Sequence, residues 1–192
     1  MGPLPIRSRL ALASLVALLA VACSSSDRDR GNDEDDDGGS GTTGGDGEPP
    51  ALQGMTEAHN AARANVDPPA DPPISPLTWS AELAAVAQSY ADQCTWEHSG
   101  GPYGENLYAT SGSAAPADVV ASWVAEATSY DHAANSCSDV CGHYTQVVWA
   151  ASQRIGCGVA NCTEGSPLGS SSWQFWVCNY DPPGNYIGER PY

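Results

Sequence analysis

The chain contains no lysine, and its seven basic residues stand against 23 acidic ones, for a net charge of −16. Within residues 51–192 the basic complement falls to Arg63, Arg154 and Arg190, facing 14 Asp and Glu. That absence excludes nucleic-acid binding, because phosphate backbones are neutralised by Lys and Arg. It excludes electrostatic docking on anionic lipid headgroups for the same reason. Cationic partners and metal ions are what such a surface attracts. Long apolar runs are missing too: the main one, residues 10–22, has 13 residues, whereas a membrane-spanning helix needs about 20. No Gly-x-Ser-x-Gly elbow, no His-Glu-x-x-His helix and no internal repeat is present, which removes the sequence signals of a serine hydrolase and of a zinc protease.

What is there begins with a leader. Arg7 and Arg9 precede the apolar run 10–22, giving the charge and length of a signal peptide over residues 1–22. Leu19-Ala-Val-Ala-Cys23 resembles a bacterial lipobox, in which the cysteine thiol is acylated and becomes the first residue of the mature chain. Ser24 after that cysteine, where Asp could stand, resembles lipoproteins sorted to the outer membrane or cell surface. Residues 24–50 hold no apolar side chain larger than proline. Such a stretch cannot offset its ordering entropy by burial, so 23–50 is expected to be a disordered, acidic, Gly/Ser/Asp-rich tether. The remaining 51–192 is one domain of ordinary size.

Cysteine arithmetic points the same way. With Cys23 assigned to lipid, six remain: Cys94, Cys137, Cys141, Cys157, Cys162 and Cys178. In an exported chain six clustered cysteines read as a disulfide framework, with 15 pairings open. The pairs Cys137-x3-Cys141 and Cys157-x4-Cys162 approach a zinc-ribbon spacing, a reading the export context disfavours. Spacing alone makes only the short Cys137–Cys141 loop natural.

Residues 53–65 are rich in helix formers and end before Asp67-Pro-Pro69, where a pre-proline residue leaves the α region. WSAELAAVAQSYADQC predicts a second helix capped by Ser80, with Leu83, Val86, Ala87 and Tyr90 on one stripe. A third is predicted over 116–130, with Pro116 at its start and Val119, Val120, Trp123 and Val124 on one face. GHYTQVVWA (142–150), RIGCGVANC (154–162) and WQFWVCNY (173–180) read as strands, and 105–110 as an edge strand. The glycines of 154–162 imply bulges or close backbone contacts. Helices first and strands later predict an α+β fold.

Singly, the histidines are unremarkable; as parts of longer motifs they are not. Cys141-Gly-His-Tyr-Thr-Gln-Val-Val-Trp149 and Trp176-Val-Cys-Asn-Tyr-Asp-Pro-Pro-Gly-Asn-Tyr186 resemble the two hallmark motifs of the CAP superfamily. This is the SCP group of cysteine-rich secretory proteins, antigen 5 and pathogenesis-related-1 proteins. His59-Asn60-Ala-Ala-Arg63 and Gly104-Glu105-Asn106 resemble two further motifs of the family. The stretch from Leu77-Thr-Trp79 to His98-Ser-Gly-Gly-Pro-Tyr-Gly-Glu-Asn106 is especially similar to the plant pathogenesis-related-1 branch. The resemblance spans essentially all of 51–192.

It implies a three-layer α-β-α sandwich with a central antiparallel sheet and a large cleft. It implies a tetrad of His98, Glu105, Glu126 and His143, able to hold Zn2+ or another divalent cation, or to do acid–base work. It also implies the pairs Cys94–Cys162, Cys137–Cys141 and Cys157–Cys178. His143 is expected at the start of a strand, and Glu126 on the third helix beside Trp123. His59, Asn60 and Arg63 read as scaffold, as do Tyr144, Gln146 and Trp149 in a buried strand. Asn179 and Asn185 are expected to satisfy loop backbone, and His132 to be solvated. Three functions follow. The first is an extracytoplasmic binding or recognition module with lipid, small apolar or surface-protein partners. The second is a metal-dependent or acid–base hydrolase, for which Ser99 beside His98 lacks an oxyanion hole. The third is an interaction domain whose tetrad only braces the cleft. The family's sterol loop is aromatic, whereas the segment after Glu126 here offers only Tyr130. In each case the chain meets the membrane through its lipid alone.

Overall fold

A computed structural model describes residues 47–192. The segment read as a signal peptide, Cys23 and most of the expected tether lie outside the described residues. Gly47–Pro50, which composition places in the tether, pack against the domain. Both Glu48 carboxylate oxygens accept backbone N–H groups, from Gly54 and Thr56, at 2.7 Å each. These are the free donors at the start of helix α1 (Met55–Ala64), and a carboxylate there also opposes the positive end of the helix dipole.

Strand β1 (Thr78–Trp79) leads into α2 (Ala81–Ala91), whose cap is the predicted one: Ser80 Oγ accepts from the Leu83 amide at 3.3 Å. Then come β2 (Gly104–Thr110), α3 (Pro116–Val124) and a 3-10 turn over Ala125–Ser129. The small ribbon β3 (Tyr130–Asp131) and β4 (Ser136–Cys137) precedes α4 (Gly142–Val147). The long strands β5 (Arg154–Cys162) and β6 (Trp173–Asp181) complete the chain. The main sheet runs β1-β5-β6-β2. Its three principal strands are antiparallel as expected, and the two-residue β1 joins β5 in parallel.

Alternation along the strands divides the core into two layers. Ile155, Cys157, Trp176, Cys178 and Tyr180 face a cluster built with Met55, Val119, Trp123 and Val147. Phe175, Val177 and Leu107 face the other way, onto Ala87 and Ala91 of α2. Gly156 and Gly158 allow α2 to lie directly on β5: a Cβ at Gly156 would come within 2.2 Å of the Ala84 nitrogen. These are the close backbone contacts that the glycines implied. The sheet thus lies between α2 and the layer of α1, α3 and α4, so the fold is the expected three-layer α+β sandwich.

Two elements differ from their sequence reading: the third helix, expected over 116–130, ends at Val124 and leaves Glu126 in a 3-10 turn, and the strand expected over 142–150 does not form. Residues 142–147, expected as strand, are the helix α4. Every residue from Tyr144 to Trp149 is buried, so the apolar pattern has no exposed face on which to register a period. The helix is held from both ends by distant charges. The Glu126 carboxylate accepts the amides of His143 and Tyr144, and the Arg63 guanidinium donates to the carbonyls of Val147 and Trp149. Opposite charges therefore complement the two ends of the dipole, and local propensity is overridden.

The three disulfides among the described residues have the pairing the resemblance implied: Cys94–Cys162, Cys137–Cys141 and Cys157–Cys178.

Candidate functional site

Two histidine–carboxylate pairs stand at the cleft, three of their four side chains lining it. His98 lies in the loop after α2, and Glu105 is the second residue of β2; His98 Nδ1 and Glu105 Oε1 are 2.8 Å apart. The same oxygen accepts the Ser99 amide at 2.9 Å. His143 is the second residue of α4, not the start of a strand, and its Nδ1 lies 2.6 Å from Glu126 Oε1. Glu126 stands just beyond α3, in the 3-10 turn, so its carboxylate points back at the start of α4. Trp123, on the last turn of α3, stacks on the His143 ring at 13° between planes.

The pairs differ in exposure. The His98 side chain is 65% exposed over a Glu105 that is 7% exposed, whereas His143 and Glu126 are 30% and 18% exposed. His98, Glu105 and His143 share a cleft of about 440 Å³ with Tyr103, Asn106 and Val140. Glu126 opens instead onto a neighbouring groove, which His143 also lines. The tetrad is therefore two carboxylate-backed imidazoles meeting at His143.

A carboxylate on Nδ1 fixes that nitrogen as the donor and leaves the Nε2 lone pair free, the tautomer a metal-binding histidine uses. Glu105 Oε2 adds a second sign of an incomplete site: it is buried and has no hydrogen-bond partner. Two imidazoles, each backed by a carboxylate, are donors of the kind that divalent cations take. Among the described residues, no three His, Cys, Asp or Glu side chains form a group that could hold a metal ion, so solvent or a ligand would complete the coordination.

The supporting residues behave as scaffold. His59 is fully buried. Its Nδ1–H donates to Met55 O and its Nε2 accepts from Tyr180 Oη, both at 2.8 Å. Tyr180 Oη in turn accepts from Asn106 Nδ2, which also donates to the His143 carbonyl at 3.0 Å. Burial lowers the His59 pKa to about 4 and raises that of Tyr180, which keeps both groups neutral. Asn60 grips the Leu77 backbone through both amide atoms. Arg63 spends five N–H groups on the carbonyls of Ser75, Val147, Trp149 and Ser152, and burial lowers its pKa to about 10. Gln146 accepts from Gly184 N and donates to Ser152 Oγ. Tyr144 is buried, with its hydroxyl against that of Tyr192. Both, with Trp149, belong to α4 and its end, not to a strand.

Three placements correct or extend the sequence reading. Asn185 does satisfy loop backbone, donating to Gly142 O, but Asn179 is buried within β6 opposite Glu105. His132 is partly buried, stacked on Tyr192 at 4.7 Å and bonded to its carbonyl. Asn106 and Tyr180 fall within motifs that assign them no role, yet they connect α1 to the cleft. The only available signal was adjacency, since Asn106 follows Glu105 and Tyr180 follows Asn179.

The model of the cysteine-rich secretory protein family, CAP, matches residues 56–180. The chain belongs to the CAP family. Pathogenesis-related protein 1 of Arabidopsis thaliana is 45% identical over 144 residues, covering 73% of this chain and 81% of that protein. Pathogenesis-related protein 1A of Nicotiana tabacum is 48% identical over 147 residues, covering 73% and 80%. Among solved CAP structures, Schistosoma mansoni venom allergen-like protein 4 aligns with a TM-score of 0.57 and 27% identity, over 72% of this chain and 90% of that one. NaASP2, solved with Zn2+, aligns with a TM-score of 0.59 and 24% identity, over 80% and 90%. The family's description is of secretory proteins, and three disulfides suit such an oxidising compartment.

Proposed function

We propose that this CAP protein is an exported binding module, held at its own membrane by a lipid on Cys23, whose cleft takes a divalent metal through His98 and His143. The observation that carries the reading is the pairing of each imidazole with a carboxylate at Nδ1. This arrangement leaves the Nε2 atoms of both rings free, and Glu105 Oε2 is unpartnered. The zinc of the fold neighbour NaASP2 is compatible with it. Zinc titration by calorimetry decides the point. The wild-type chain is expected to give binding heat that His98→Ala and His143→Ala remove. Glu105→Gln and Glu126→Gln should weaken binding by about 10–100-fold, as carboxylate partners of ligating histidines do. An absence of heat in the wild type would sink the metal reading. For the anchor, Cys23→Ser should release the chain from the membrane fraction, and unchanged retention would refute lipidation.

A second site supports small apolar ligands. A groove of about 350 Å³ is walled by Leu52, Trp79, Ala81, Ala84, Ala85 and Val159, and it is apolar enough to accept an acyl chain. Solvent extraction of purified protein with mass spectrometry tests this: recovered lipid supports it. A chain that carries none and takes up none leaves the groove without a lipid role.

A further inference from the structure

Among the described residues the sheet ends at β2, whose second edge is paired with no strand. A groove of about 380 Å³ follows that edge. Its course is shown by its lining. Leu107 faces the α2 layer and Tyr108 packs with the opposite layer, so a cavity that touches both must lie against the strand's edge. One wall is Trp96 and Leu168, which are 42% and 53% exposed. The other wall is Trp123, Glu126 and His143.

The backbone on that edge is turned outward. The Leu107 carbonyl accepts from Trp123 Nε1 at 3.0 Å, which points it away from β6. In an antiparallel strand the N–H and C=O of one residue point to the same side, and alternate residues share that side. Leu107 and Ala109 therefore turn their main-chain groups towards the groove, with the Leu107 carbonyl already held by Trp123. Among the described residues, no helix, turn or side chain takes the amides of Leu107 or Ala109. An open edge with an apolar wall is the geometry that receives an extended peptide as an added strand.

Charge selects the occupant. Arg63 is buried on carbonyls, Arg154 is ion-paired with Asp181, and Arg190 bonds the carbonyls of His132 and Ala133. None of these three arginines lines the groove, whereas Glu126 stands at its wall. We propose that the free edge of β2 binds an extended, basic polypeptide segment as a fifth strand, with an apolar side chain seated between Trp96 and Leu168. The proposal rests on the binding-module reading but not on its metal.

A fluorescent octapeptide of alternating Val and Lys, titrated into the full chain with EDTA present, tests it. Saturable binding is expected, together with slowed hydrogen exchange at the amides of Leu107 and Ala109. N-methylation of alternate peptide amides should weaken binding at least tenfold without altering charge, and Leu168→Asp should weaken it through the apolar wall. A Val/Glu octapeptide should not bind. Equal affinity of the methylated and unmethylated peptides, or protection elsewhere on the chain, would overturn the proposal. A failed zinc titration would leave it standing, so the two readings fail separately.

Discussion

At the scale of residues, His59 acts on a cleft it never reaches. Through Tyr180 and Asn106 it is tied to the carbonyl of His143, so protonating it breaks an acceptor at the buried end of that chain. Burial holds its pKa near 4, against 6.5 for a free imidazole. Between these values the unfolded chain binds the proton and the folded one does not, so stability rises with pH across that window. The contribution is complete above pH 6.5 and is lost as pH falls towards 4. A shift of this size corresponds to at most about 3 kcal/mol. Urea denaturation from pH 4 to 7 should show this slope in the wild type and a flatter one in His59→Gln; parallel slopes would assign the acid sensitivity elsewhere. Gly104 is a second single-residue constraint. A Cβ there would lie 2.2 Å from Gln146 Oε1, so Gly104→Ala should push β2 off α4 and separate Glu105 and Asn106 from the cleft. Loss of stability together with weakened zinc binding is expected, and unchanged zinc binding would show that the contact yields.

At the scale of elements, α4 is the part whose conformation the residues themselves do not announce. Six residues make a marginal helix alone. This one persists because Glu126 takes its first amides and Arg63 its last carbonyls. Arg63→Met leaves several buried carbonyls without donors and should cost on the order of 3 kcal/mol, read from denaturant midpoints. Arg63→Lys should recover only part of this, because an ammonium has three donors in place of five. Equal stability of all three proteins would refute the capping role. The same caps explain why a strand was expected. GHYTQVV is β-branched and aromatic, and its capping partners lie 17 and 84 residues away. By contrast α1, α2, β5 and β6 were legible because their signals are local: a Ser80 cap, apolar stripes and alternation. Both pairs of the candidate site were legible only as motif members, since nothing in the spacing of His98 and His143 indicates that they share a cleft.

At the scale of the whole molecule, the two core layers are cross-linked to unequal effect. Cys94–Cys162 closes a loop of 68 residues and Cys157–Cys178 one of 21. Constraint of the unfolded chain predicts about 4 and about 3 kcal/mol respectively, with less from the four-residue Cys137–Cys141 loop. Pairwise Cys→Ala variants ranked by thermal midpoint should follow that order. A dominant loss on removing Cys137–Cys141 would indicate that this loop acts on the folded state, through the position of His143.

The sequence by itself determined the α+β class, the cysteine framework of the exported domain, the acidic character and the residues of the candidate site, because composition, periodicity and motifs are written in neighbouring positions. The tertiary structure alone decided that 142–147 is helix, that Glu48 belongs to the domain, that the tetrad is two pairs joined at His143, and that β2 keeps an open edge. Each of those depends on groups far apart in the chain meeting at hydrogen-bond distance.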